Sequence, residues 1–558
     1  MSLNHSVVAR LNARLTWEKA RMFRRVTLLL ISIALVALGN VSAPGSAAVT
    51  TTTGLSAGHA TSQPHLGRLR RTAMDLSAQR REHLNALSDA TPLPEQSYPQ
   101  VARAVPPPTG TATITNPART HDIFNVYNST TPNAVIPAND KSTTDETSGA
   151  MRGPVRFMTG NWYAAFSNNS GSSWNYVNPF TSFSGQTTDG GFCCDQSAIY
   201  DPSRDMNLWL LQYQKSSATS SGRNRLRLAV YRNASAGIKY SGWITYGLFP
   251  SQYGGTSSGE WFDYPHMALS NNYLYITVNV FSTTVNPSTG REDFRRSVII
   301  RISLASLASG SALSNSYYTG SSTFTPVQGA GAVMYWANHA SNTSMNIYRW
   351  PESGNATVVS RTVPAWNRTT KGQSSCPTGD GQDWCVKSDD RVLAGVRTYN
   401  AGLSQYEIWF FWNVRHGSGF PWPYLNAARF RQSDLAYLSR PLLWSETSPF
   451  QWGAAAVNSR GNTGLAVFQG LGTGLYPSLV LCIDDAFNAL PAPWECRSAR
   501  SGTNGPFDNG WGDYLAVRPS YPRALGWMAT GWTLRGGKTR EFIEPRMVVF
   551  GRSGDSPG

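Results

Sequence analysis

An all-β architecture is expected of this 558-residue chain on three grounds. Charged residues make up only 15% of it and aromatic residues 12%. Ordinary globular chains carry about 25% charged residues, so coiled coils, long helical arrays and solvated acidic tails are disfavoured. Gly, Pro, Trp and Tyr are plentiful (50, 33, 19 and 24) without a Gly-X-Y period, and so many aromatics exclude a disordered chain. The third ground is a recurring pattern of short apolar strands separated by turns rich in Asn, Ser, Gly and Pro.

The chain opens with an address. Arg21-Met-Phe-Arg-Arg25 precedes an apolar run from Val26 to Leu38 and small residues through Ala48, the three parts of a secretory signal peptide. About 20 apolar residues are needed to span a bilayer as a helix, and this run is shorter. Residues 1–48 are therefore expected as a signal peptide cleaved near Ser46-Ala47-Ala48, with Met22 as an alternative start and an uncleaved anchor as the competing reading. No membrane span is expected in the mature form. From 49 to 118 the composition turns to Thr, Ser, Ala, Pro and Arg and ends in Val105-Pro-Pro-Pro-Thr109, which reads as a disordered propeptide or linker.

Residues 119–553 are expected to form one domain built of repeats. A polar residue, often Asp, leads into an apolar strand, a turn and a second, aromatic-rich strand. Openings fall at Asp195, Asp263, Gly331, Asp390, Gly453 and Asp513, spaced 68, 68, 59, 63 and 60 residues apart, with an earlier unit at Gly149. Sixty-odd residues fit four strands of about six residues with loops between them. Seven such units fit a β-propeller of seven four-stranded blades around a central channel, with six or eight left open and a stack of β-sandwiches as the alternative. Asp122–Ser129 and Glu541–Ser553 offer first and last strands for a blade shared between the chain ends.

Six cysteines agree with export. Cys376 with Cys385, and Cys482 with Cys496, close short loops and are expected as disulfides of an oxidising compartment; neither pair has zinc-ligand spacing. Cys193 and Cys194 are adjacent, and an eight-membered ring is favoured slightly over two free thiols. The formal net charge of +15 divides into +5 for residues 1–48, +2 for 49–110 and +8 for the body. No basic run with interleaved aromatics marks the body, so nucleic-acid binding is not expected.

Ser167-Asn-Asn-Ser-Gly-Ser-Ser-Trp174 resembles the Asp-box of sialidase-type propellers, a Ser-x-Asp-x-Gly-x-Thr-Trp hairpin between outer strands of a blade. Asn169 stands at the Asp position and Ser173 at the Thr position, both able to hydrogen-bond in a turn. The openings Gly-Phe-Cys-Cys-Asp195-Gln, Asp263-Tyr-Pro-His and Trp-Gly-Asp513-Tyr are similar to those of secreted bacterial propellers. The resemblance implies the fold and the address. The Phe-Arg-Ile-Pro start of sialidases is absent and their arginine trio does not map, so sialic-acid chemistry is not carried over.

In a propeller, the loop leading to each innermost strand lies at one mouth of the channel. Asp195, Asp263, Asp390 and Asp513 are therefore expected to converge there, with Gln196, Tyr264, His266, Arg391 and Tyr514 beside them. The plainer reading is that each Asp bonds its own turn. Crowded like charges raise one another's pKa or need a cation. Three functions follow. A glycoside hydrolase would use two of the carboxylates as acid and as base or nucleophile. A polysaccharide lyase would use His266 or Tyr264 as base and Arg391 to neutralise a uronate. A non-catalytic glycan-binding propeller would use Trp162, Trp174, Trp261, Trp336 and Trp511. No cofactor or metal is expected, since nothing marks a nucleotide, flavin or haem site and no EF-hand-like loop supports calcium. The expected partner is an extracellular glycan, bound by a monomer.

Overall fold

The computed structural model describes residues 55–71, 124–142, 144–183, 189–485 and 494–555. The expected signal peptide, its cleavage site and the Pro-rich end of the linker lie outside these residues. Among those described, no helix is long and apolar enough to cross a membrane.

The strands pair into four-stranded antiparallel sets following chain order. Blade 1 spans 148–177, blade 2 192–248, blade 3 260–320, blade 4 325–362, blade 5 392–439, blade 6 450–500 and blade 7 516–552. Blades 4 and 5 are also joined through a parallel pairing of their first strands, Val327 with Gly395 and Gln328 with Val396. The first strands touch one another in order around a ring. The ring closes where the first strand of blade 7 (Ala516–Pro519) meets that of blade 1 (Ser148–Arg152). Strand Phe124–Thr130 is the outermost strand of blade 7, antiparallel to Ile543–Arg552, so both ends of the domain share that blade. This is a β-propeller.

Burial follows from that packing. A blade covered on both faces needs strands that are apolar on both sides. Phe192–Asp201 and Met206–Tyr213 of blade 2 are buried at every position. Separate apolar cores fill the gaps between blades. Leu208, Leu228 and Tyr246 of blade 2 meet Phe262, Ile276 and Ile300 of blade 3. Leu479 and Leu481 of blade 6 meet Trp527 and Phe550 of blade 7, and Met151 and Met158 of blade 1 meet Met528 and Met547 of blade 7. Each fully buried side chain of this size stabilises by about 1.5–3 kcal/mol, so the ring is held by many comparable contacts rather than by one hub.

Two findings differ from the sequence reading. Gly331 does not open blade 4. The first strand there is Thr325–Gln328, short and containing Pro326, and Gly331 lies in the turn before the second strand, Val333–Ser341. With no acidic residue at its head, that strand left no sequence signal. Within the expected linker, Ser56–Ser62 adds a fifth strand to the edge of blade 3, and Pro64–Arg68 one to the edge of blade 2. Outer strands carry unpaired backbone groups that such a segment satisfies. Its small residues read as linker, yet they permit close approach: Gly58 lies flat against the Tyr317 ring, where a side chain would collide.

The turn Ser167–Trp174 connects the third and fourth strands of blade 1. The Ser167 hydroxyl accepts from the Gly171 N–H at 2.9 Å, and Asn169 Oδ1 accepts from the Ser173 N–H at 2.9 Å. Gly171 has a φ of +80°, a conformation open to Gly at little cost. All six cysteines are bonded, as Cys193–Cys194, Cys376–Cys385 and Cys482–Cys496.

Phe124 is fully buried, with its ring centroid 5.8 Å from that of Phe550. Phe124→Ala should destabilise the domain by about 3–5 kcal/mol, read by urea unfolding. Leu66→Ser, at a residue 91% exposed, should leave the same curve unchanged.

Candidate functional site at the channel mouth

The strands that open the blades break their own regularity at one end of the channel. Pairing register shifts between Phe192 and Gln196, between Asp263 and His266, and between Gln451 and Ala454. Tyr264, Trp452 and Glu146 have φ values of +60°, +53° and +46°. A left-handed non-Gly residue costs of order 1–3 kcal/mol and persists only where the surroundings over-determine it. Ladder pairing beyond each bulge supplies that constraint here. Side chains normally alternate between faces of a strand; the bulge suspends this, so the neighbours Asp263 and Tyr264 both reach one polar cluster.

Arg391 stands at its centre. Its Nη2 lies 2.7 Å from Asp513 Oδ2 and its Nε 3.0 Å from Asp389 Oδ1. The guanidinium carbon sits 4.1 Å from the centroid of the Tyr264 ring, a cation–π contact. Around it, the Asp513 N–H donates to Glu146 Oε1 at 3.0 Å, and Asn161 Nδ2 donates to Glu146 Oε2 at 2.7 Å. Tyr514 Oη donates to Asp195 Oδ2 at 3.1 Å, and Gln212 Nε2 to Asp263 Oδ1 at 2.8 Å. The rings of Tyr264, His266 and Tyr514 pack together with centroids 4.5–5.1 Å apart.

The carboxylates respond in opposite directions. Burial, followed by the charges of Glu146 and Asp263, holds Asp195 well above the usual carboxylate range. Burial raises Asp263 as well, against the hydrogen bond from Gln212. Burial and then Asp513 push Glu146 up to about 7. Asp513 behaves differently: burial would raise it, but Arg391 and Lys371 outweigh that and hold it below its ordinary value. His266 is pushed down to about 3 by burial and then by Arg391, so its imidazole is neutral. Burial raises Tyr264 far above the ordinary phenol range. Asp513, with a side chain 24% exposed, and Asp263 are partly open at the mouth, whereas Asp195 and Glu146 are buried.

The structure thus corrects the expected carboxylate ring. Asp195, Asp263 and Asp513 share one electrostatic cluster, but Asp390 does not join it. Asp390 is buried and accepts from Arg368 Nε at 2.6 Å, Trp366 Nε1 at 3.1 Å and the Thr369 N–H at 3.2 Å. It ties its own loop, and Asp389 faces Arg391 instead. Gln196 is buried and occupied on both sides, accepting from Trp209 Nε1 at 2.8 Å and donating to the Tyr163 carbonyl at 3.0 Å, so it holds blades 1 and 2 together rather than meeting a ligand. Of the five tryptophans considered for glycan contact, Trp162, Trp174, Trp336 and Trp511 are buried in or between blades. Trp261 alone of the five is partly open. Its Nε1 donates to Glu292 Oε2 at 2.7 Å, and Lys215 lies 5.6 Å over its ring.

Sequence reasoning missed Glu146, Asp389 and Lys371. Glu146 had a usable signal, since Asp145-Glu146 stands three residues ahead of the Gly149 opening, as an acidic blade head should. Asp389 and Lys371 lie in the long connection between blades 4 and 5, and no periodicity points to them. Among the described residues, no group of three or more His, Cys, Asp or Glu is gathered to hold a metal ion.

Arg391→Met should destabilise the protein by about 3 kcal/mol, the cost of stranding carboxylates at a buried pair. The penalty should be larger at pH 8 than at pH 5, because protonation relieves the stranded charge; urea unfolding at both pH values checks this.

No protein-family model matches the chain, and no curated protein matches it. Among solved structures, it is similar to a Penicillium chrysogenum α-L-arabinanase complexed with arabinobiose, at 12% identity over 77% of this chain and 99% of that one, with a TM-score of 0.35. It is also similar to a Trypanosoma rangeli sialidase in complex with the inhibitor DANA, at 12% identity over 63% of this chain and 54% of that one, with a TM-score of 0.32. A protein of unknown function from Dyadobacter fermentans overlaps 73% of this chain and 98% of its own, at 9% identity and a TM-score of 0.36.

Proposed function

We propose that this protein is a secreted glycoside hydrolase acting on extracellular polysaccharide at the channel mouth. The observation that carries the reading is the pair of partly open carboxylates displaced in opposite directions, Asp263 upward and Asp513 downward. Glycosidic cleavage needs a protonated acid to donate to the leaving oxygen and an ionised carboxylate to act as nucleophile or base. Environments that drive two such groups apart assign those roles. Asp263 is then the general acid, held by Gln212, and Asp513 the ionised partner, held by Arg391. Asp195 and Glu146, buried behind them, limit the build-up of negative charge because burial favours their protonated forms. Trp261 offers an aromatic face for a sugar ring beside Asp263.

A lyase is disfavoured by the same geometry. His266 is neutral but too weak a base at a pKa of about 3, Tyr264 is too weak an acid to ionise, and Arg391 is already paired with two carboxylates. A glycan-binding propeller without catalysis would need several open aromatic sites, and four of the five candidates are buried. Three disulfides suit an oxidising compartment outside the cell, which supports export.

The experiment is a screen of the exported form against neutral and charged polysaccharides, reading reducing ends and ultraviolet absorbance together. Reducing ends should appear without the absorbance of an unsaturated product. On the responsive substrate, Asp263→Asn and Asp513→Asn should each lower kcat by about 10²–10⁴-fold. The pH profile of kcat/KM should be bell-shaped. Activity rises as pH passes the depressed pKa of Asp513, which must be ionised, and falls as pH passes the raised pKa of Asp263, which must be protonated. Asp263→Asn should remove the alkaline fall. Turnover within about threefold of the parent in both variants would overturn the assignment.

A further inference from the structure

Beyond the mouth, the channel narrows to a cavity of about 50 Å³. That is room for a few waters or one small ion. Every blade contributes to its wall, through Ser148, Ser197, Met267, Thr325, Ala394, Ala455 and Arg518 among others, and no Asp or Glu lines it. Arg518 is the unexplained member. It comes from the first strand of blade 7 (Ala516–Pro519), and among the described residues no carboxylate forms an ion pair with it. Its Nη1 donates to the Val517 carbonyl at 3.0 Å and its Nη2 to the Ala198 carbonyl at 3.4 Å. Its Nε is buried without a hydrogen-bond partner, and so is Nε2 of His266 on the same wall.

Arg518 as a whole is half-buried, but its Nε is shut off from solvent, and a desolvated cationic group without a counter-charge is costly unless something compensates it. Burial alone pushes the Arg518 guanidinium down to about 10, and no acidic neighbour offsets it. The carboxylates of the mouth do not serve, since Asp513 is committed to Arg391. The cavity therefore combines an uncompensated positive charge, an unused N–H donor, the hydroxyl of Ser197 and small apolar walls at a size suited to a dehydrated halide. Phosphate or sulfate, with more oxygens to satisfy than this lining has donors, fits it less well.

We infer that the central channel holds a small monovalent anion such as chloride, bound by Arg518 with Ser197 and His266 around it. The anion neutralises the Arg518 guanidinium, which no carboxylate among the described residues pairs, and helps fasten blade 7 to its neighbours at the seam where the ring closes. It takes no part in glycan cleavage and stands or falls separately from that reading.

The test uses the full exported chain at neutral pH and constant ionic strength, exchanging sodium gluconate for sodium chloride or bromide. Tm should rise saturably by about 1–3 °C with either halide, as expected for a ligand bound only by the folded state. Crystals soaked in bromide should show an anomalous peak in the cavity beside Arg518. Arg518→Met should abolish both signals, and if that variant fails to fold, Ser197→Val should weaken the halide dependence several-fold. A Tm that responds identically to gluconate and halide, or a bromide-soaked crystal with no peak in the channel, would overturn the inference.

Discussion

A closed ring of blades forces acidic strand heads from distant parts of the chain into one small volume, and most of the site's chemistry follows from how that repulsion is relieved. Two routes are available to crowded carboxylates: protonation, or a cation among them. Both are used. Arg391, braced by Asp389 and stacked on Tyr264, keeps Asp513 charged together with Lys371. Asp195, Asp263 and Glu146 are pushed toward the protonated form. Neighbouring acids are thereby displaced in opposite directions, Asp263 upward and Asp513 downward, as a consequence of the architecture itself.

Fold closure and the site are physically linked. Glu146 follows the strand that completes blade 7, and it accepts from the backbone of Asp513, 367 residues away. The same bond that joins the two ends of the domain also orients the peptide carrying the ionised carboxylate. The left-handed residues Glu146, Tyr264 and Trp452 belong to this mouth. Their conformational cost is offset by interblade packing, which supplies a rigid frame on which bulges can aim side chains.

The fold was legible because its signals are local and repeated. Strand openings at Asp195, Asp263, Asp390, Gly453 and Asp513 lie within or just ahead of first strands, and Phe124–Thr130 and Ile543–Arg552 do share a blade. Blade 4 escaped because Thr325–Gln328 is only four residues long, contains Pro326 and has no acidic residue at its head. The strands at Ser56–Ser62 and Pro64–Arg68 escaped because small residues look the same in a linker and in an edge strand pressed on aromatics. The site was legible only in part. Position in the repeat brought out Asp195, Asp263 and Asp513, but it could not distinguish Asp390, tied to Arg368 and Trp366, from its neighbour Asp389, which faces Arg391. That choice is made by a long connection whose path no repeat encodes. Nor could composition separate Trp261, partly open beside Asp263, from four tryptophans that fill blades.

Neutron diffraction from a deuterium-exchanged crystal near neutral pH addresses the central claim most directly, because it locates the protons themselves. The account requires a deuteron on Asp263, none on Asp513, and a fully deuterated guanidinium on Arg391 between Asp513 and Asp389. A bare Asp263, or a deuteron on Asp513, would contradict it.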